Sequence, residues 1–332
     1  MKSKISEHES ATTKITAKRV VLWTFGGLLA LIVFASAGLM LTFTAAKLKT
    51  PAVEVGELPP ASPPVGMSVS ILPTGTYESR AALAFRGGSW SDKRQFAMTA
   101  LLIRHPKGNL LIDTGAGRNV DIHVKIMPAM MRAATDYTKA IPAVIQLAAG
   151  GISLRDLAAV IPTHAHWDHI SGVDDLPGVP VLVTAEGKAF IDSKKEGTEV
   201  INSIPNVNYK QYTFDGGPYL GFPRSHDVWG DGSVVIVPAP GHTPDSVVVF
   251  VNLPSGTRYA MIGDLTFQLE GLEIPAEKPW MLRHLIGENN EEVHKDIALI
   301  RTITQKYPQV HPIPAHDVSA FRSIPVFPAS TR

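Results

Sequence analysis

The densest chemical feature of this chain is the run His164-Ala165-His166-Trp167-Asp168-His169, with three histidines and one aspartate in six positions. Imidazole nitrogens and carboxylate oxygens are what zinc and related divalent ions accept. A single histidine here would read as a core or loop residue satisfied by hydrogen bonds; four donors at this spacing read as a metal site. Val160 and Ile161 precede the run as the end of a strand, and Pro162 breaks it. Histidines two apart at such a break can converge on one ion, and an aspartate and histidine just beyond can face a second. The chain has no cysteine, so thiolate ligands and disulfides are excluded.

The HxHxDH pattern is similar to the signature of the metallo-β-lactamase superfamily, and the rest of that family's order follows in this sequence. Asp113 stands in LIDTG, His242 in PGHTPDS, Asp264 in MIGD and His316 in PAHD. The resemblance runs from about Met67 to Arg332. It implies an α/β chain folded as a four-layer αββα sandwich, with His164, His166 and His242 on one ion and Asp168, His169 and His316 on another. Asp264 would bridge them, placing Asp168 and Asp264 at the catalytic centre. Asp113 and Thr163 would stand behind the ligands and orient them, a turn-forming role being the alternative for Asp113. Two divalent ions are implied, zinc by default, with manganese, iron and cobalt compatible. Ions sharing a water lower its pKa enough to give hydroxide near neutral pH, so the reaction class is hydrolysis. No GxSxG nucleophile motif is present.

Within the superfamily, Asp227–Ser233 leading into Val237–Pro244 resembles the N-acyl-homoserine lactonase-like enzymes and their phosphotriesterase relatives. Two positions depart from that pattern. Phe267 stands where those lactonases have a tyrosine, and Asp245 where members usually have glycine. Phenylalanine cannot protonate a poor leaving group, which favours aryl esters or phosphotriesters over lactones. The expected activity is hydrolysis of an ester-like bond, whether aryl ester, lactone or phosphotriester, in a small hydrophobic substrate. N-acyl-homoserine lactonase is one alternative, and a membrane-tethered binding protein with a silent metal site is another. Phe267, Met127, Met131 and Trp280 are candidate pocket residues, the methionines lying in a segment, Asp121–Gly150, that reads equally as an apolar lid or as core.

Strands must deliver these ligands. Ala100–His105 and Asn109–Asp113, joined by Pro106-Lys107-Gly108, read as a hairpin. Further strands are expected at Met67–Leu72, Val181–Thr184, Ser233–Val237, Ser246–Val251 and Thr257–Ile262. Glu291–Lys306 carries Val293, Ile297, Ile300 and Ile303 at helical spacing.

The N-terminal portion is different in kind. Val20–Ala46 is 27 residues without a charge, where about 20 apolar residues suffice to cross a bilayer as a helix. Lys2, Lys4, Lys14, Lys18 and Arg19 outweigh Glu7 and Glu9 ahead of it, which predicts a cytoplasmic tail (1–19), a transmembrane anchor (20–46) and a catalytic domain outside, periplasmic or extracellular. A cleaved signal peptide is the competing reading. Residues 47–66 carry Pro51, Pro59, Pro60, Pro63 and Pro64 and read as a stiff linker before the domain at 67–332. The formal charge of +1 over 332 residues gives no case for a nucleic-acid partner. A small molecule and the membrane are the expected partners.

Overall fold

The computed structural model describes residues 17–49 and 53–332. The tail up to residue 16, and Pro51 of the linker, lie outside the described residues. The chain divides into two compact units, Met1–Thr42 and Phe43–Arg332. In the first, a 25-residue helix spans Ala17–Leu41, long and apolar enough to cross a membrane. It stops short of Ala46 because Thr42 turns back onto the Leu39 carbonyl and Phe43 is buried in the second unit, 5.0 Å from the Trp90 ring.

The second unit begins well before Met67. The prolines hold residues 53–66 extended, as their ring constraint demands, but the segment is laid onto the domain. Val55 is buried beside Phe222 and Val235, Lys306 donates to the Val55 carbonyl, and Ser62 N–H donates to Asp231 O. Sequence shows the extension and not the docking, since docking depends on what lies beside it.

Among the described residues, twelve strands build the domain: β1 (Ser68–Arg80), β2 (Lys93–Arg104), β3 (Asn109–Ile112), β4 (Asp136–Lys139), β5 (Leu157–Ile161), β6 (Val181–Val183), β7 (Tyr209–Gln211), β8 (His226–Asp227), β9 (Val234–Pro238), β10 (Val247–Asn252), β11 (Arg258–Gly263) and β12 (Val310–Pro314). They form a seven-stranded sheet in the order β4-β1-β2-β3-β5-β6-β7 and a five-stranded sheet in the order β12-β11-β10-β9-β8. The expected hairpin is present, with Leu101 opposite Ile112 in antiparallel register.

Strand alternation sorts the apolar residues into three layers. Leu101, Ile103, Leu110 and Ile112 point inward and meet Val234, Ile236, Val249 and Met261 of the other sheet. Their neighbours Leu102 and Leu111 point outward and pack with Val120, Leu147 and Ile170 of the flanking helices. On the far side, Val248, Phe250 and Ala260 receive Val293, Ile297, Ile300 and Ile303 of helix Asn290–Lys306. Helix layer, two sheets and helix layer give the αββα sandwich.

Two strands differ from expectation in a way that matters below. β1 runs past Pro73 to Arg80 because a register shift between Pro73 and Gly75 absorbs the proline. Its extension pairs with β4, Tyr77 lying opposite Tyr137. The 121–150 segment is thereby divided. Met127 ends helix Val120–Ile126 and is buried in the core, whereas Met131 faces the cavity described next.

Candidate metal centre

β3, β5, β9, β11 and β12 all run in one direction within their sheets, and each releases a key residue just past its C-terminal end. Asp113 follows β3, His164 and His166 follow β5, His242 follows β9, Asp264 follows β11 and His316 follows β12. At Pro162 the β5 ladder ends, and a single helical turn, Trp167–Ile170, then lifts Asp168 and His169 to the same rim. All eight residues are buried, and all but Asp113 offer a donor to the centre.

They converge in two clusters, His164, His166, His242 and Asp264 in one and Asp168, His169 and His316 in the other, with the donor atoms of each within 4.8 Å of one another. His166 Nδ1 lies 3.0 Å from both His164 Nε2 and His242 Nε2. Asp264 Oδ2 faces this group, 3.4 Å from His242 Nε2. The other oxygen, Oδ1, faces the second cluster, 3.3 Å from His169 Nε2, while both oxygens lie 3.1 Å from His316 Nε2.

The outward nitrogens explain why the inward ones are free. His316 Nδ1 donates to the Ala97 carbonyl at 2.9 Å, His169 Nδ1 to Asp113 at 2.9 Å, and His242 Nδ1 to Glu288 Oε1 at 2.6 Å. These bonds assign the tautomer and leave Nε2 of each ring as an acceptor. Acceptors aimed at one another repel unless a cation sits among them. His169 Nε2 and Asp264 Oδ1 are moreover buried without a hydrogen-bond partner, a costly state in a protein interior. The donor set therefore fits two divalent ions held by nitrogen and oxygen.

Electrostatics agree. Burial, then the neighbouring histidines, pushes His164 and His166 well below the usual imidazole range, so they stay neutral. Burial opposes charge on Asp264, His169 and His316 alike, but Asp113 and Asp264 raise the two imidazoles, which in turn hold the Asp264 carboxyl well below its usual range, so this cluster draws positive charge, as protons on the rings or as an ion.

Asp113 lies behind the clusters, in contact with His169 and Thr163. It sits at φ 54°, a left-handed conformation that aspartate tolerates better than most residues, and accepts from Thr163 N–H at 2.6 Å and Thr163 Oγ1 at 2.9 Å. Thr163 Oγ1 in turn lies 3.3 Å from His164 Nδ1 and 3.2 Å from His169 Nδ1. Gly197, at φ +91°, is required where the chain crosses His166, since a Cβ there would fall 2.6 Å from the ring.

Above the clusters lies a cavity of about 140 Å³ whose walls are mostly apolar: Tyr77, Phe96, Met131, Trp167, Phe267 and Leu285 are among them, with His166, Asp168, His242 and Asp264 at its floor. Phe267 and Met131 line this cavity. Met127 and Trp280 do not. Met127 is consumed by the core, and Trp280 is 45% exposed, its ring tilted against His284 at 4.0 Å. Its helix, Trp280–Ile286, presents Leu282, Leu285 and Ile286 to the cavity instead.

Three further residues escaped sequence reasoning. Tyr77 lines the cavity on β1, stacked on Phe96 at 5.0 Å and edge-on to His316 at 5.4 Å. Burial, with the charges of Asp168 and Asp264 adding to it, pushes its phenol well above the usual range. Lys278 and Glu288 are almost fully buried and paired at 2.6 Å. Nothing in their sequence context marks them; proximity to His242 and Asp264 exists only in the fold.

Comparison with known proteins gives a consistent picture. The chain is 26% identical over 236 residues to a probable metallo-hydrolase of Mycobacterium tuberculosis, covering 67% of this chain and 75% of that protein. It is 24% identical over 150 residues to a metallo-hydrolase of Annulohypoxylon moriforme, where it spans only 40% of the relative's length. An N-acyl homoserine lactonase of Azorhizobium caulinodans is 25% identical over 186 residues, 51% of this chain and 65% of that one. Among solved structures, a quorum-quenching N-acyl homoserine lactone lactonase superposes with a TM-score of 0.61 at 18% identity, over 80% of this chain and 98% of that one. An N-acyl homoserine lactone hydrolase with N-hexanoyl-L-homoserine at its catalytic metal centre gives 0.62 at 17%, over the same shares. Identities this low speak for the fold alone. Residues 96–300 match the model of the metallo-β-lactamase superfamily, and with the αββα sandwich and the two clusters at its rim, the chain belongs to that superfamily.

Proposed function

We propose that this protein is a membrane-anchored, binuclear metal-dependent hydrolase that cleaves an ester-type bond in a small apolar substrate. The observation that carries this reading is the convergence of five histidines and two aspartates in two clusters that share Asp264, at the floor of an apolar cavity. His164, His166 and His242 would hold one ion, Asp168, His169 and His316 the other, with Asp264 between them. When bound, the ions supply hydroxide at neutral pH and polarise the substrate oxygen. The protein's own groups do the rest. Phe96, Phe267, Leu282, Leu285 and Ile286 bind the apolar body of the substrate and exclude water. Tyr77 Oη keeps its proton and can hand it to a departing alkoxide oxygen, a part that Phe267 cannot play. Lactones and alkyl esters therefore stand beside aryl esters and phosphotriesters as candidate substrates, and the lactonases among the relatives support the ester-type class. Zinc is the default metal, other divalent ions accepting the same donors.

The test is turnover of acyl lactones, aryl esters and phosphotriesters by the zinc-loaded full chain in detergent, with His166→Ala as control. Hydrolysis that the control lacks is expected. A wild-type protein that binds two zinc ions per chain and turns over none of the three classes would be the silent binding protein instead. For topology, helix Ala17–Leu41 as the anchor, preceded by cationic residues, supports a cytoplasmic N-terminus and an external domain. Because the chain has no cysteine, Ser91→Cys offers a unique thiol. Labelling of intact cells by a membrane-impermeant maleimide is expected, and labelling only after lysis would reverse the orientation.

A further inference from the structure

Helix Trp280–Ile286 forms one wall of the cavity through Leu282, Leu285 and Ile286, and the residues on either side of it both turn back to the ligand clusters. Before it, Lys278 Nζ donates to the Asp264 carbonyl at 2.6 Å and to the Leu265 carbonyl at 3.3 Å. After it, Glu288 Oε1 accepts from His242 Nδ1 at 2.6 Å. Lys278 and Glu288 then meet each other at 2.6 Å, their side chains 2% and 0% exposed. The ammonium also lies 4.8 Å from the centre of the Phe267 ring, another cavity wall. The loop is closed locally as well. Arg283 Nε donates to the Lys278 carbonyl at 2.9 Å, Gly287 ends the helix at φ 77°, and Asn289 N–H reaches the Gly241 carbonyl, next to His242, at 2.9 Å.

A buried ion pair is a poor way to stabilise a fold. Desolvating both charges costs several kcal/mol per ion, and apolar residues of like volume would often serve equally well. Its position is more telling than its energy. Lys278 and Glu288 each make a bond to a ligand residue or its backbone that an apolar replacement could not make.

We propose that Lys278 and Glu288 form a clasp that fixes the imidazole of His242 and the backbone of Asp264, and so couples the apolar wall helix to the first metal cluster. They are positioning residues that act through His242 and Asp264. Carboxylates behind ligating histidines set ring orientation and raise ligand basicity, and their loss typically weakens metal binding about 10–100-fold. Substrate selectivity enters because the same two residues bracket the helix whose side chains meet the substrate. That part rests on the hydrolase reading; the metal-binding part does not.

The experiment measures zinc affinity of the full chain in detergent by competition with a chromophoric chelator, alongside melting of the metal-free protein. Glu288→Asp keeps the charge opposite Lys278 but withdraws the carboxylate from His242. One of the two zinc ions should bind about 10–100-fold more weakly, with the metal-free melting curve near wild type. Lys278→Met with Glu288→Gln removes both charges together and should show the same zinc defect. Wild-type affinity for both ions in whichever of these variants folds would overturn the clasp. The second arm compares a long-chain with a short-chain acyl ester of one phenol, and both variants should lose part of the wild-type preference for the long chain. Absence of all turnover in the wild type would defeat the hydrolase reading and leave the zinc result standing. An unchanged chain-length preference alongside weakened zinc binding would sever the link to the wall helix.

Discussion

The two halves of the centre are held in place by different means. His169, in the second cluster, is supported by Asp113 and by Thr163, which also reaches His164 of the first, and both lie on the loops after neighbouring strands β3 and β5 of one sheet. His242, in the first, is supported by Glu288 and Lys278, which lie on a connection outside both sheets. The first support is built into the sandwich; the second belongs to the part of the chain that also walls the cavity. A scaffold that assigns its two supports in this way can alter substrate recognition on one side while the other stays fixed by strand pairing.

Perturbations of graded size separate the halves. The largest effect should come from Asp264→Ala, which removes the group facing both clusters: bound zinc should fall below two ions per chain by elemental analysis, and turnover should be abolished. Next, Tyr77→Phe, beside His316 in the second cluster, should slow alkyl esters and lactones by about 100-fold, the lower end for a lost proton donor, with far less effect on nitrophenyl esters. A uniform loss across leaving groups would remove Tyr77 from proton transfer. Asp113→Asn should weaken zinc binding about tenfold, the lower end for such supports. The ion affected should be the one left intact by Glu288→Asp; if both substitutions weaken the same ion, the comparison between the halves collapses.

The smallest effect concerns Asp245, which supports neither half. It lines a small cavity with Tyr209 and Tyr212, accepts from Thr243 Oγ1 at 2.7 Å, and burial pushes its carboxyl up to about 6. An acid raised in the folded state holds its proton more tightly there than in the unfolded chain, so its contribution is present at low pH and lost as pH rises from about 4 through 6. Asp245→Asn keeps an acceptor for Thr243 without the charge. It should raise the melting temperature at pH 8 by roughly 5 °C, each kcal/mol being worth about 2–4 °C in a domain of this size, and change nothing at pH 4.

How much of this was legible in the sequence depends on how local each feature is. The HxHxDH run, and His242, Asp264 and His316 in their turns, stand where strands stop, and a strand end is marked by Pro, Gly and Asp. The same marks placed β9, β10 and β11 to within about a residue. Lys278 in AEKPW and Glu288 in GENNEE look like solvated loop residues, because burial of a charge is decided by a partner elsewhere in the chain. Tyr77 was missed because Pro73 reads as a strand terminator, and only the register shift lets β1 continue. Trp280 reads as a pocket residue while Leu282 and Leu285 line the cavity, because composition does not tell which side of a short helix faces it. The prolines of 53–66 told of extension without telling what the extended chain touches.

The ligand loops carry a consequence for how the protein comes apart. Residues from Asp113 to His316 must all be in place before the centre exists, and they come from both sheets. With ions bound, sliding one sheet off the other would require breaking coordination bonds on both sides of Asp264 at once. The centre then works as a rivet between the two sheets, and the loaded protein should resist proteases for far longer than its equilibrium stability alone would grant.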